Sequence, residues 1–189
     1  MTREELILEG LNLIKQFCEL NNIPQPEIEL NPNKQPRYCG AYFPNVNLIK
    51  VFPNACARPA INPVRSWSFP HYFVDRTVLG VICHEFGHYV HYYLGRPIID
   101  KLGLQITSYE PNMDERFAET MKVFLTNPDL LKQYNPERYN YLTIKLKLKP
   151  VYTSDWKTQL CIYGEVNEKY IKACENRIKS ANKAISKTK

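Results

Sequence analysis

The chain has 189 residues, of which 44% are hydrophobic and 12% aromatic, and its formal net charge is +6. A chain of this length buries one substantial core, so we expect a single domain over residues 1–189 and exclude two full domains. No apolar run approaches the roughly 20 residues of a membrane-spanning helix, and the N-terminal sequence lacks the basic and then apolar order of a secretory signal. We therefore expect a cytoplasmic protein without membrane contact.

The first part of the chain is predicted to form one helix and a small sheet. Thr2 and Glu5 have the spacing of a capping box, and apolar residues then recur at helical intervals. Residues 27–30 alternate as in a short strand, and residues 38–52 have the pattern of a hairpin. The proline-rich residues 53–70 are expected to form a long ordered loop that leads to the next helix.

The stretch VLGVICHEFGHYVHYYLG predicts an amphipathic helix over residues 75–94 that carries an HExxH pattern. At about 100° per residue, His84 and His88 lie on one face, where both imidazoles can reach an ion about 2 Å away. Glu85 lies roughly 60° round from His88 and is well placed to touch a water at that ion. Gly87 weakens a helix by about 1 kcal/mol relative to alanine, so its place between the histidines suggests close approach by another backbone.

The two histidines leave a metal ion in need of a third protein ligand. His91 lies one turn beyond His88, but three residues over two turns span about 10 Å and cannot converge on one tetrahedral ion. His71 precedes the helix, so a carboxylate is the better candidate. Residues 112–126 form a second amphipathic helix, whose first turns hold Asp114, Glu115 and Glu119. Acidic residues near a helix N-terminus also complement the helix dipole, which is the alternative explanation for any one of them.

HEFGH followed by SYEPNMDERFAE resembles the gluzincin group of zinc peptidases, and more narrowly the lethal factor type and its phage and prophage-encoded relatives. These proteins carry HExGH, then a tyrosine in a loop, then ExFAE on the helix of the third ligand. The resemblance covers roughly residues 38–151. Position by position, it implies zinc on His84, His88 and Glu115, Glu85 as general base, Tyr109 as the loop tyrosine, and Glu119 in support of a ligand histidine.

Together these observations predict an α+β fold of the zincin type. A small N-terminal sheet would lie over the HExxH helix, and the C-terminal part would be mainly helical. The expected function is a zinc-dependent metallopeptidase that acts on a protein or peptide, with Glu85 taking a proton and Tyr109 donating to the oxyanion. The alternative is a non-catalytic, zinc-stabilised binding or virion-structural protein of the same fold, although a purely structural site has no need of Glu85.

The C-terminus is predicted to form a basic amphipathic helix over residues 163–187. From Tyr170 onward there are six basic residues against Glu175 alone. An apolar stripe at intervals of three and four would dock this helix and leave its basic face in solvent. Nucleic-acid binding by this face, as in a DNA-associated protease, is an alternative that we do not expect, and we expect a monomer. If the chain is phage-encoded, the host cytoplasm or the virion is the alternative location.

Overall fold

A computed structural model describes residues 2–30, 38–52, 77–99, 102–107, 109–161 and 168–187. Within these ranges the fold is α+β and mostly helical, as predicted. The helices are α1 Arg3–Asn21, α2 Val78–Tyr93, α3 Met113–Thr126, α4 Pro128–Tyr134, α5 Pro136–Asn140, α6 Trp156–Cys161 and α7 Glu168–Ser186. The strands are β1 Glu27–Leu30, β2 Gly40–Phe43 and β3 Leu48–Val51. The loop predicted over residues 53–70 and His71 lie outside the described residues.

Helix α1 begins with the predicted capping box. The Thr2 hydroxyl accepts from the Glu5 backbone N–H at 3.1 Å, and the Glu5 carboxylate accepts from the Thr2 backbone N–H at 2.6 Å. These bonds satisfy donors that the first helical turn leaves unpaired. The buried face of α1 packs on α2, where the rings of Phe17 and Phe86 form a T-shaped pair at a centroid distance of 5.6 Å.

The three strands form one sheet in the order β1, β3, β2. The predicted hairpin is the antiparallel pair β2 and β3, joined by a short 3-10 turn, and β1 pairs with β3 in parallel. The backbone N–H of Phe52 donates to the carbonyl of Cys39 at 2.8 Å, which makes these residues a hydrogen-bonded pair. Since such pairs alternate, the backbone groups of Gly40 and Tyr42 point away from β3.

Helices α2 and α3 pack closely against each other and form the centre of the molecule. Their N-termini are capped by Thr77, whose hydroxyl accepts from the Gly80 N–H, and by Asn112, whose side chain accepts from the Glu115 N–H. A Cβ atom at Gly87 would lie 2.8 Å from the Ala118 Cα atom and 2.9 Å from its carbonyl oxygen. The close backbone approach predicted at Gly87 is therefore confirmed.

The C-terminal part is mainly helical in the residues described. Helices α4 and α5 each begin at a proline that follows an asparagine cap, and α5 continues into a π-helical turn, Tyr141–Lys145. Helix α7 is docked by Cys174 and Ala181, two residues of the predicted stripe, and both are buried. None of the described helices combines the length and the apolar character that crossing a membrane requires.

Candidate metal centre and active site

Helices α2 and α3 bring together two imidazoles and one carboxylate. The Nε2 atoms of His84 and His88 are 3.1 Å apart, and the Glu115 Oε2 atom lies 3.0 Å from the first and 3.6 Å from the second. Among the described residues, these three form the group whose ligand atoms all lie within 4.8 Å of one another. The structure thus brings Glu115, rather than Asp114 or Glu119, to the two Nε2 atoms.

The spacing of these three atoms fits a tetrahedral zinc ion. Ligand atoms about 2.0 to 2.1 Å from zinc at tetrahedral angles lie about 3.3 to 3.4 Å from one another. The observed separations of 3.0, 3.1 and 3.6 Å scatter around that value. The Glu115 Oε2 atom is also buried and lacks a hydrogen bond of good geometry. Two histidines and one glutamate are the ligand set of zinc sites that keep one position open.

The far side of His84 is held by a buried carboxylate. The Nδ1 atom of His84 lies 2.7 Å from Glu119 Oε1, and Lys122 Nζ donates to both Glu119 oxygens at 2.6 and 2.8 Å. Burial alone would raise the pKa of Glu119, but Lys122 and His84 lower it to about 2. Glu119 is therefore an ionised acceptor for the Nδ1–H of His84, which directs the Nε2 atom toward Glu115. No role was predicted for Lys122 from the sequence, although residues three apart on a helix, such as Glu119 and Lys122, are neighbours on its surface.

The pKa of His84 depends on the carboxylates of Glu115 and Glu119. Burial lowers the pKa of its imidazole, but the contacts with the Glu115 and Glu119 carboxylates outweigh burial and raise the pKa to about 9. In the metal-free protein, His84 therefore carries a proton between two carboxylates. A metal ion that binds here would displace that proton.

Glu85 lies on the other flank of the site, between α2 and the edge of β2. A Cβ atom at Gly40 would lie 2.7 Å from the Glu85 Cγ atom, and the Tyr42 backbone forms a hydrogen bond with the Glu85 side chain. Burial raises the pKa of Glu85, while the two nearby histidines oppose the rise. A carboxylate with a raised pKa is suited to exchange protons near neutral pH. Glycine inside a predicted strand often marks close approach, but the sequence alone did not show that Gly40 meets Glu85.

Tyr109 lies close to the imidazole of His84 and is partly exposed. Its ring centroid is 5.9 Å from that of His84, and 45% of the residue is exposed. Partial burial raises the pKa of its phenol, and the charges of Glu115, Glu85 and Glu119 raise it further. The hydroxyl therefore stays protonated and can donate a hydrogen bond.

His91 is buried and does not join the group formed by the other two histidines of α2. Its Nε2 atom lies 3.1 Å from the Pro97 carbonyl oxygen, and its Nδ1 atom lies 3.3 Å from Asp114 Oδ1. Its ring stacks on Phe117 at a centroid distance of 4.5 Å. His91 and Asp114 therefore connect the end of α2 to the start of α3.

The chain matches no protein-family model, no curated protein and no solved structure. The likeness to lethal factor type peptidases therefore depends on the motifs of the chain itself. Zinc binding, catalysis and the roles of His84, His88, Glu115, Glu85, Tyr109 and Glu119 stay predictions.

Proposed function

We propose that the protein is a zinc-dependent metallopeptidase with a zincin-like arrangement of α2, α3 and the small sheet. The observation that supports this most strongly is the convergence of His84, His88 and Glu115, whose ligand atoms lie 3.0 to 3.6 Å apart. A zinc ion held by these residues would supply Lewis-acid activation of a water molecule and of the scissile carbonyl group.

The remaining groups of the site have distinct roles in this proposal. The Glu85 carboxylate accepts a proton from the attacking water and later delivers it to the leaving amine. The Tyr109 hydroxyl donates a hydrogen bond to the oxyanion that develops on the scissile carbonyl. Glu119 accepts the Nδ1–H of His84 and so fixes the tautomer whose Nε2 atom is free to bind a metal.

The rival proposal is a zinc-stabilised protein of the same fold that binds a partner without cleaving it. Such a site would use the same three ligands but would have no need of Glu85. In this chain Glu85 is buried beside the histidines, its pKa is raised, and β2 approaches it so closely that residue 40 has no room for a side chain. This local arrangement favours a peptidase.

The test compares the native protein with Glu85→Gln after both are supplied with zinc. We expect one zinc per chain in both, because Glu85 is not among the proposed ligands, and loss of zinc in His84→Ala and His88→Ala. Peptide hydrolysis should fall about 10² to 10⁴-fold in Glu85→Gln, the range typical of a general base. Elemental analysis and mass spectrometry of a broad peptide library are the measurements.

A matched control is Glu19→Gln, since Glu19 is exposed at the end of α1. It should leave both zinc content and hydrolysis unchanged. Native rates in Glu85→Gln would rule out its role as base. A native protein that binds zinc but cleaves no peptide would favour the partner-binding rival, and a native protein without stoichiometric zinc would refute the metal centre.

A further inference from the structure

Tyr109 belongs to an irregular segment between α2 and α3 whose described backbone is held by side chains from α4 and α5. Three hydrogen bonds from these side chains reach its carbonyl groups. The Tyr134 hydroxyl donates to Gln105 at 3.2 Å, Asn135 Nδ2 donates to Leu104 at 2.6 Å, and Arg138 Nε donates to Leu102 at 3.0 Å. The segment is thus attached to the helical C-terminal part of the molecule.

Glu110, the residue after Tyr109, closes the segment on itself. Its Oε1 atom accepts from the backbone N–H groups of Ile106 and Thr107 at 2.8 and 3.0 Å. Its Oε2 atom accepts from Arg138 Nη2 at 3.0 Å and lies 3.5 Å from Arg116 Nε on α3. The Glu110 side chain has no exposed surface, so these bonds are made away from water. The carboxylate therefore fixes the backbone on both sides of Tyr109.

Arg138 connects this closed segment to the helix that carries Glu115. Its guanidinium is 2% exposed and donates from three different nitrogens. Besides Leu102 and Glu110, it reaches the Thr120 hydroxyl on α3 at 3.0 Å. Since Thr120 follows Glu119 directly, the position of Tyr109 is set relative to the same helix that would hold the metal.

A buried ion pair of this kind is not needed for stability alone, because well-packed apolar residues often replace such pairs without loss. A catalytic hydroxyl, in contrast, must be held in a defined place relative to the reacting group, and small displacements are costly in rate. Tyr109 is 45% exposed, so burial of its own side chain provides only part of that precision.

We infer that Glu110 and Arg138 are positioning residues that hold the Tyr109 hydroxyl in place for its hydrogen bond to the oxyanion. The inference depends on the proposed peptidase function, in which Tyr109 is the donor. It assigns a role in turnover to two residues that do not touch substrate or metal.

The first experiment is a double-mutant cycle on the zinc-loaded protein with Glu110→Gln and Tyr109→Phe. Tyr109→Phe should lower kcat about 10 to 10³-fold with KM and zinc content nearly unchanged. Glu110→Gln keeps an acceptor for Ile106 and Thr107 but loses the charge that holds Arg138. It should lower kcat at least fivefold in the native background and by less than twofold in the Tyr109→Phe background, where no hydroxyl remains to be positioned.

The matched control is Glu137→Gln, an exposed neighbour of Arg138, which should leave kcat unchanged. Arg138→Lys provides a second variant that retains the charge but loses the guanidinium fork, in case Glu110→Gln folds poorly. It should show the same dependence on Tyr109. Equal losses of kcat with and without the Tyr109 hydroxyl would overturn the inference, because they would indicate a general structural role.

A measurement without turnover separates this inference from the proposed function. In metal-free protein with ¹³C-labelled tyrosine, the Tyr109 ring signal is identified by its absence in Tyr109→Phe. We expect Glu110→Gln to shift or broaden that signal while Glu137→Gln leaves it unchanged. An unmoved signal would refute the positioning role. Absence of all cleavage by native protein would refute the peptidase proposal instead, whatever the signal does.

Discussion

Two buried ion pairs flank the candidate site, and they differ in what they hold. Glu119 and Lys122 lie three residues apart on α3, and Glu119 contacts the proposed ligand His84 directly. Glu110 and Arg138 are 28 residues apart and hold a segment of irregular backbone. All four side chains are at most 2% exposed. Equal burial thus serves two different ends, the orientation of the His84 imidazole in one case and the shape of a loop in the other.

This difference predicts that loss of each ion pair affects a different property of the protein, metal affinity for one pair and turnover for the other. Loss of the first pair should alter metal affinity, because Glu119 orients His84. Loss of the second should alter turnover with metal affinity nearly constant, because the backbone that it holds carries Tyr109. Three predictions test this contrast, in order of decreasing effect.

Lys122→Met should have the largest effect on stability. It leaves the Glu119 carboxylate buried without its lysine, and removal of one partner of a buried ion pair typically costs about 3 to 5 kcal/mol. The loss should lie at the lower end of this range, because His84 still contacts Glu119. Urea unfolding of the metal-free protein measures it.

The control is Lys122→Met combined with Glu119→Gln. This pair of changes also removes the buried Glu119 charge that Lys122→Met leaves without its lysine, so most of the lost stability should return. A single variant that costs less than about 1 kcal/mol would mean that Lys122 contributes little to the state of Glu119.

The sequence predicted those parts of the fold and site that depend on neighbours along the chain. The capping box of α1, the hairpin and both site helices follow from spacing over a few residues, as does the close approach at Gly87. The choice of Glu115 over Asp114 and Glu119 came from the resemblance of the motifs. In the structure the Glu115 carboxylate lies beside the Nε2 atoms of the two histidines.

Other features depend on contacts between distant segments, and sequence patterns do not encode these. The approach of Gly40 to Glu85 requires the packing of β2 on α2, which no periodicity specifies. The pair of Glu110 and Arg138 requires α5 to return beneath the Tyr109 segment. Lys122 is intermediate, because its spacing from Glu119 was visible but its burial was not.

Glu119→Ala should weaken zinc binding about 10 to 100-fold, or roughly 1.4 to 2.7 kcal/mol, as is typical when a partner of a ligand histidine is lost. Glu115→Ala should weaken it by more than 100-fold, because it removes a proposed ligand. Competition with a chelator of known affinity measures both. Glu110→Gln is the matched comparison from the other ion pair and should stay within about twofold of the native affinity.

The order of severity within α3 decides the assignment. If Glu119→Ala proves more damaging than Glu115→Ala, the third ligand has been assigned to the wrong residue. If Glu110→Gln weakens zinc binding as much as Glu119→Ala, the two ion pairs do not have separate roles.

Thr120→Val should have the smallest effect. It tests the hydrogen bond by which Arg138 contacts α3, the helix that also carries Glu119 and Lys122. The Thr120 hydroxyl accepts from Arg138 Nη1 and donates to the Arg116 carbonyl at 2.7 Å. Valine leaves the Arg138 donor without this acceptor, at a cost of about 1 to 2 kcal/mol. Thr126→Val is the control. The Thr126 hydroxyl donates to the Lys122 carbonyl in the same way, and this hydrogen bond does not involve Arg138.

If the hydrogen bond between Arg138 and Thr120 fixes the Tyr109 segment relative to α3, Thr120→Val should lower kcat a few-fold while zinc affinity stays constant. Thr126→Val should change neither. Urea unfolding, steady-state kinetics and chelator competition on the two variants provide the three readouts. Equal kinetics in both would mean that the contacts of Glu110 suffice to fix the segment, since the loop would then keep its shape without the bond between Arg138 and Thr120. A loss of zinc affinity in Thr120→Val would instead show that the Arg138 contact also stabilises the ligand helix, and the contrast between the two ion pairs would be one of degree.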